Sequence, residues 1–89
     1  MKSHLTEDFI VHFRKLPQRI QRLARKNYRL WKNNPEHPGL EFKRVSQKFP
    51  TYSVRIGLGW RALGFMQHDS VVWFWIGSHA DYDKLLRHF

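Results

Sequence analysis

The chain contains no cysteine. That absence removes a disulfide framework, thiolate zinc sites, iron–sulfur clusters and any cysteine nucleophile, and it suits a cytoplasmic setting. Acidic residues are scarce: 7 Asp and Glu stand against 16 Lys and Arg, giving a net charge of +9 in 89 residues. Such a chain is matched to polyanions or strongly acidic proteins, a balance that a small acidic metabolite alone would not require. Long apolar runs are missing as well. The longest, Val71–Ile76, falls far short of the ~20 residues that a membrane-spanning helix needs, and the amino terminus carries no apolar stretch of the signal-peptide kind. There is no internal repeat, linker or low-complexity tract, so a single domain over residues 1–89 is expected. The six histidines fall into no HExxH or comparable spacing, and neither a catalytic metal nor another cofactor is expected.

What is present divides into two halves at the breakers of Asn33–Gly39. Thr6, followed by Glu7 and Asp8, reads as an amino-terminal cap with acids in the first turn, and Phe9, Phe13 and Leu16 recur at helical spacing, predicting a helix over 7–15. Pro17 suits the first turn of a second helix running to about Asn33. Its apolar positions Ile20, Leu23, Ala24, Tyr28, Leu30 and Trp31 share one side, and Arg19, Arg22, Arg25, Lys26, Arg29 and Lys32 gather on the other. That basic side is either a solvated face or one that steers RNA. A basic amphipathic helix can also lie on an anionic membrane, but Tyr28 and Trp31 are needed for the core of so small a protein. Beyond the break, residues 40–45, 52–56, 61–66 and 71–76 are short, rich in β-branched and aromatic residues, and separated by turns, predicting four antiparallel strands. Val71–Ile76 has no polar residue and reads as a strand covered on both faces. Residues 79–89 form a short terminal helix. The expected fold is α+β: two helices packed on a four-stranded antiparallel sheet, with a short helix at the end.

Gly57-Leu58-Gly59 reads as a three-residue hairpin loop, which sets Arg55 directly opposite Arg61 on one sheet face. Like charges so opposed repel. Either a phosphodiester compensates them through paired charge-assisted hydrogen bonds, or both fan into water. Beyond the last strand, His79 and Tyr82 share a helix face at i, i+3. Histidine can act as general acid or base, and tyrosine can stack on an unpaired base, the alternatives being a helix cap and a core ring. Lys43, Arg44 and Lys48 add positive charge for RNA around the first strand. The string Gly57-Leu58-Gly59-Trp60-Arg61-Ala62 mimics a dinucleotide-binding motif but precedes a strand, where that motif opens a helix.

The order and spacing of Leu16-Pro17, Asn34-Pro35, Leu40-Glu41-Phe42-Lys43, Tyr52-Ser53-Val54-Arg55, Trp60-Arg61-Ala62-Leu63, Trp75-Ile76-Gly77-Ser78-His79 and Tyr82-Asp83 resemble the RelE/ParE superfamily of bacterial type II toxins. The resemblance spans roughly Phe9 to Leu86. It implies a toxin with a cognate antitoxin, acidic in its binding segment, that covers basic surface. In the RelE branch it implies an mRNA endonuclease acting in the ribosomal A site by metal-independent attack of the RNA 2′-OH. Arg61 then matches the arginine of the family's Tyr-Arg-Leu-type strand, Arg55 the basic residues of the preceding strand, and Tyr82 and His79 the residues of the terminal helix. The two arginines would stabilise the phosphorane, His79 would exchange a proton, Tyr82 would hold the nucleotide, and Glu41 is a candidate base. The ParE branch implies instead a gyrase inhibitor without nuclease activity, and a third alternative is a relative that only binds RNA.

Overall fold

The computed structural model describes residues 1–88, and it opens with an element outside the expectations above: Lys2–Leu5 forms strand β1. Its Lys-Ser-His-Leu sequence has no apolar alternation to announce a strand. What holds it is the main chain, which pairs in parallel with β5 (Ser70–Ser78), setting Lys2 opposite Ser70 and Leu5 opposite Trp73. The remaining strands are β2 (Lys43–Ser46), β3 (Thr51–Gly57) and β4 (Trp60–Gln67). Together they make a five-stranded sheet in the order β1-β5-β4-β3-β2. The four expected strands are thus antiparallel neighbours, while the sheet is mixed because β1 adds to its edge.

Helix α1 (Glu7–Arg14) starts where the sequence places it: the Thr6 hydroxyl accepts the Phe9 main-chain N–H at 3.1 Å, and Glu7 and Asp8 occupy the first turn. The cap satisfies an orphan donor and the acids favour the positive end of the helix. Pro17 stands just before α2 (Gln18–Asn33), as its cap, rather than inside its first turn. Strand β2 begins later than residue 40, because Pro38–Leu40 form a 3-10 turn and Glu41 adopts a left-handed conformation (φ 44°, ψ 45°). The terminal helix α3 spans His79–Leu86, capped by the Ser78 hydroxyl accepting the Asp81 N–H at 3.2 Å. The end of the expected helix, Phe89, lies outside the described residues. No helix among the described residues is long and apolar enough to cross a membrane.

The sheet separates two cores. Leu16, Ile20, Ala24 and Trp31 pack with Val54, Ile56, Ala62, Val71, Trp73 and Ile76 on one face. Leu63 and Trp75 pack with Tyr82 of α3 on the other. Trp73 and Trp75, two residues apart, would share a face in a regular strand; a bulge in β5 opposite Leu63 and Gly64 sends them to opposite sides. That is why Val71–Ile76 is apolar throughout. Trp31 meets Trp73 edge to face at 5.2 Å between centroids, a geometry that rewards large aromatics beyond their burial of roughly 1.5–3 kcal/mol each. Tyr28, expected in the core, lies at its rim, 37% exposed, with its hydroxyl bonded to that of Ser3. Between α1, α2 and the sheet a cavity of about 350 Å³ remains, lined by Phe9, Phe13, Tyr28, Val54 and Trp73 among others, on the sheet face away from Arg55 and Arg61.

Candidate anion site at the central hairpin

Arg55 does stand opposite Arg61, by a route different from the one expected. Gly57 pairs with Trp60, so the loop is Leu58-Gly59, one residue shorter than predicted, and Ile56 is an extra, bulged residue. The two departures cancel. Gly59 takes the turn at φ +83°, a region open to glycine at little cost. At the bulge α2 reaches the strand: Asn27 Nδ2 donates to the carbonyls of Ile56 and Arg55, the latter at 3.3 Å. The helix lies so close that a Cβ on Gly57 would collide with Leu23 Cδ2.

The repulsion between the arginines is compensated from within the chain. Glu41 sets Oε2 3.4 Å from Arg55 Nη1 and Oε1 3.6 Å from Arg61 Nη1. Its left-handed backbone also turns its own carbonyl to accept from Arg61 Nη2 at 3.1 Å. Arg61 is 5% exposed, a burial that a guanidinium tolerates only when its donors are used. They are: Nε donates to Ser53 Oγ at 2.8 Å, and the guanidinium carbon lies 5.3 Å from the centre of the Tyr82 ring. One carboxylate faces two guanidinium groups, so a surplus positive charge remains, and Arg55 and the 46% exposed Glu41 carboxylate present it to solvent. An oxyanion entering here meets fixed donors.

Helix α3 completes the group. The His79 N–H donates to the Gly59 carbonyl at 2.7 Å, tying the helix start to the hairpin turn. The His79 ring stands edge-on to Tyr82 at 5.4 Å, as their i, i+3 spacing predicts. Tyr82 is 5% exposed, enclosed by Arg61, His79, Leu63 and Trp75, so its ring serves the core and the arginine before any ligand. His79 is exposed, and its Nδ1 lies 3.2 Å from Asp83 Oδ2 one turn on. That contact leaves Nε2 as the free ring nitrogen.

The structure therefore brings Arg55, Arg61, His79 and Tyr82 together, with Glu41 bridging the two arginines. It adds Ser53, Asn27 and Asp83, to which the sequence alone assigns no role. Only the i, i+4 spacing of His79 and Asp83 is a signal that local sequence could have offered. Lys43 pairs with Ser53 and so lies on the same sheet face as Arg61. Arg44 stands apart, its guanidinium bonded to the carbonyls of Ser46 (2.9 Å) and Gln47 (3.3 Å), and Lys48 lies 5.6 Å from the Phe49 ring. The six cations of α2 are exposed; its apolar side packs on the sheet face opposite the site.

In fold the chain is similar to the RelE of a RelB–RelE antitoxin–toxin complex from Methanococcus jannaschii (TM-score 0.74, 12% identity, covering 92% of this chain and 96% of that one). It is also similar to YafQ from Escherichia coli BL21(DE3) (0.72, 12%, 91% and 96%) and to a YoeB/ParE toxin from Agrobacterium tumefaciens (0.69, 14%, 89% and 99%). No curated protein is similar enough in sequence to count as a relative. The ParE-like toxin domain model matches residues 18–84, from the start of α2 through most of α3. The chain belongs to the ParE-like toxin domain family, within the RelE/ParE superfamily of toxin–antitoxin toxins.

Proposed function

We propose that this protein cuts mRNA on the ribosome, with the 2′-OH of the bound RNA as nucleophile and no metal. The observation that carries the reading is the pair of opposed arginines sharing a single carboxylate, an arrangement with unspent positive charge at solvent's edge. The 2′-oxygen attacks its own phosphorus, the bond to the 5′-oxygen breaks, and a 2′,3′-cyclic phosphate and a 5′-hydroxyl result. Ser53 and Tyr82 hold the Arg61 guanidinium in place, and Arg55 and Arg61 stabilise the extra negative charge of the phosphorane once the phosphate takes the place of the Glu41 carboxylate between them. In this reading Glu41 takes the 2′-OH proton and His79 delivers a proton to the departing 5′-oxygen. Tyr82 acts as a positioning residue for Arg61. Lys43, Arg44 and Lys48 add phosphate contacts, Arg44 only by giving up its carbonyl partners.

The cognate partner in this reading is an antitoxin with an acidic binding segment, suited to a toxin of charge +9. A RelB–RelE complex among the similar structures supports it. The protein works in the cytoplasm, where ribosomes are. A second reading, inhibition of DNA gyrase without nuclease activity, is favoured by the match to a ParE-like family model. The two are separated by mapping cuts in a defined mRNA on stalled ribosomes by primer extension, with naked mRNA and a gyrase supercoiling assay alongside. Cuts at the A-site codon that require the ribosome support the nuclease. A folded protein that leaves mRNA whole and blocks supercoiling overturns it.

A further inference from the structure

On the sheet face that carries α3, three successive rungs run from charge to aromatic surface. The first is Arg55–Arg61–Gly77, the second Lys43–Ser53–Leu63–Trp75, and the third Ser46–Thr51–Phe65–Val72. Rungs two residues apart on β3 and β4 are ~7 Å apart along the strands. Leu63 and Trp75 of the second rung are buried with Tyr82 of α3, and Lys43 at its end is exposed. The third rung is different. The β5 bulge provides an extra residue, Phe74, which stacks on Phe65 with ring centroids 4.4 Å apart and planes at 21°. Phe65 stays 37% exposed, and Phe49, next to the same end of β3, is 48% exposed with the Lys48 ammonium 5.6 Å from its ring.

Phe65 and Phe49 keep 37% and 48% of their surface open, and Phe65 lies on the same sheet face as the cations of the first two rungs. A positive lane ending on an aromatic face is what a single nucleic-acid strand requires: cations for phosphates, and a ring on which an unpaired base can stack without regard to its identity. We infer that Phe65, backed by Phe74, is a base-stacking subsite for single-stranded RNA, with Lys48 and Phe49 in the turn that leads to its β3 partner Thr51. It holds the base of a nucleotide neighbouring the one whose phosphate meets Arg55 and Arg61, while Lys43 contacts the backbone between. The inference rests on the RNA reading above and adds to it the subsite that fixes the strand's register.

The test is fluorescence anisotropy of a short unstructured RNA, labelled at one end, with the unaltered protein, Phe65→Leu and Phe65→Tyr. A parallel set of RNAs carries one abasic nucleotide at each position in turn. Phe65→Leu weakens binding about tenfold or more, the scale of one base–aromatic stack, and Phe65→Tyr binds as the unaltered protein does. One abasic position costs the unaltered protein a similar factor and costs Phe65→Leu nothing further. Because the abasic scan uses the unaltered protein, it decides the matter even if Phe65→Leu does not fold: equal sensitivity at every position overturns the subsite. RNA binding that is strong and indifferent to Phe65, or no binding of free RNA at low salt, overturns the subsite alone, whereas the RNA reading falls only if mRNA on stalled ribosomes is also left whole. A dimer in sedimentation that Phe65→Leu dissolves, with RNA affinity unchanged, would make the aromatic face a contact between copies and the inference wrong.

Discussion

The side-chain amide of Asn27 donates to the main-chain oxygen of Arg55 at 3.3 Å, and through it the middle of α2 holds the bulge that lets Arg55 face Arg61. The same amide serves the carbonyl of Ile56, so one helical residue binds two consecutive carbonyls of β3 at the bulge. Asn27→Leu keeps the size of the side chain and removes the donor. Its expected cost is about 1–3 kcal/mol, the penalty for buried acceptors left without partners. Urea unfolding measures it, and unchanged stability would show that water serves these carbonyls equally well.

Arg61 is held by Ser53, by the carboxylate and carbonyl of Glu41, and by the Tyr82 ring. Lysine retains the charge but cannot span Ser53 and Glu41 with one planar fork. Arg61→Lys is therefore expected to fold and to lower ribosome-dependent cleavage about a hundredfold or more, the scale of losing one preorganised donor to a transition state. Arg61→Ala adds a loss of stability of roughly 2 kcal/mol by stranding buried acceptors. Circular dichroism and primer extension on both variants separate the effects, and a fully active Arg61→Lys removes the guanidinium from the mechanism.

Glu41 neutralises part of the charge that RNA phosphate would use. Glu41→Gln frees that charge, so RNA binding is expected to tighten at low salt. The logarithm of the binding constant should fall more steeply with the logarithm of salt, by about 0.7 for each additional phosphate neutralised on a single strand. Cleavage by the same variant falls if Glu41 is the base. Affinity and salt slope identical to those of the unaltered protein would mean that phosphate does not enter between Arg55 and Arg61.

The contact from Asp83 to His79 Nδ1 predicts a dependent pair. His79→Ala should reduce the single-turnover cleavage rate by about a hundredfold or more, in the range of general acid–base catalysis. Asp83→Ala should reduce it less, by roughly tenfold, and should have no effect in the His79→Ala background. Independent, multiplying losses would show that Asp83 does not act through the imidazole.

Much of this was legible in the order of residues because its signals are local. The Thr6 cap, the apolar period of α2, the glycine turn and the spacing of His79 and Tyr82 each arise within a few residues, where propensity and hydrogen bonding decide the outcome. The resemblance to RelE/ParE toxins is likewise carried by short strings in order. The strand at Lys2–Leu5 was not legible, since its stability comes from the main chain of β5, at the far end of the sequence. Nor was the left-handed turn at Glu41, which follows from Pro38, Gly39 and the burial of Leu40.

The sequence by itself determined a basic, cysteine-free α+β chain in which a tight hairpin carries both Arg55 and Arg61. Composition and the glycine turn suffice to put both arginines on one hairpin, but their direct opposition rests on the bulge at Ile56, which the contact with Asn27 supports. Only the tertiary structure decided what the facing charges do. Glu41, from the turn before β2, and Asn27, from a helix on the opposite face of the sheet, reach the hairpin through packing that no local pattern encodes. So does the enclosure of Tyr82 between Arg61 and the second core, which turned an expected platform for RNA bases into a support for the arginine. Burial is a property of the assembled layers, and it alone sets which side chains remain to meet a ligand.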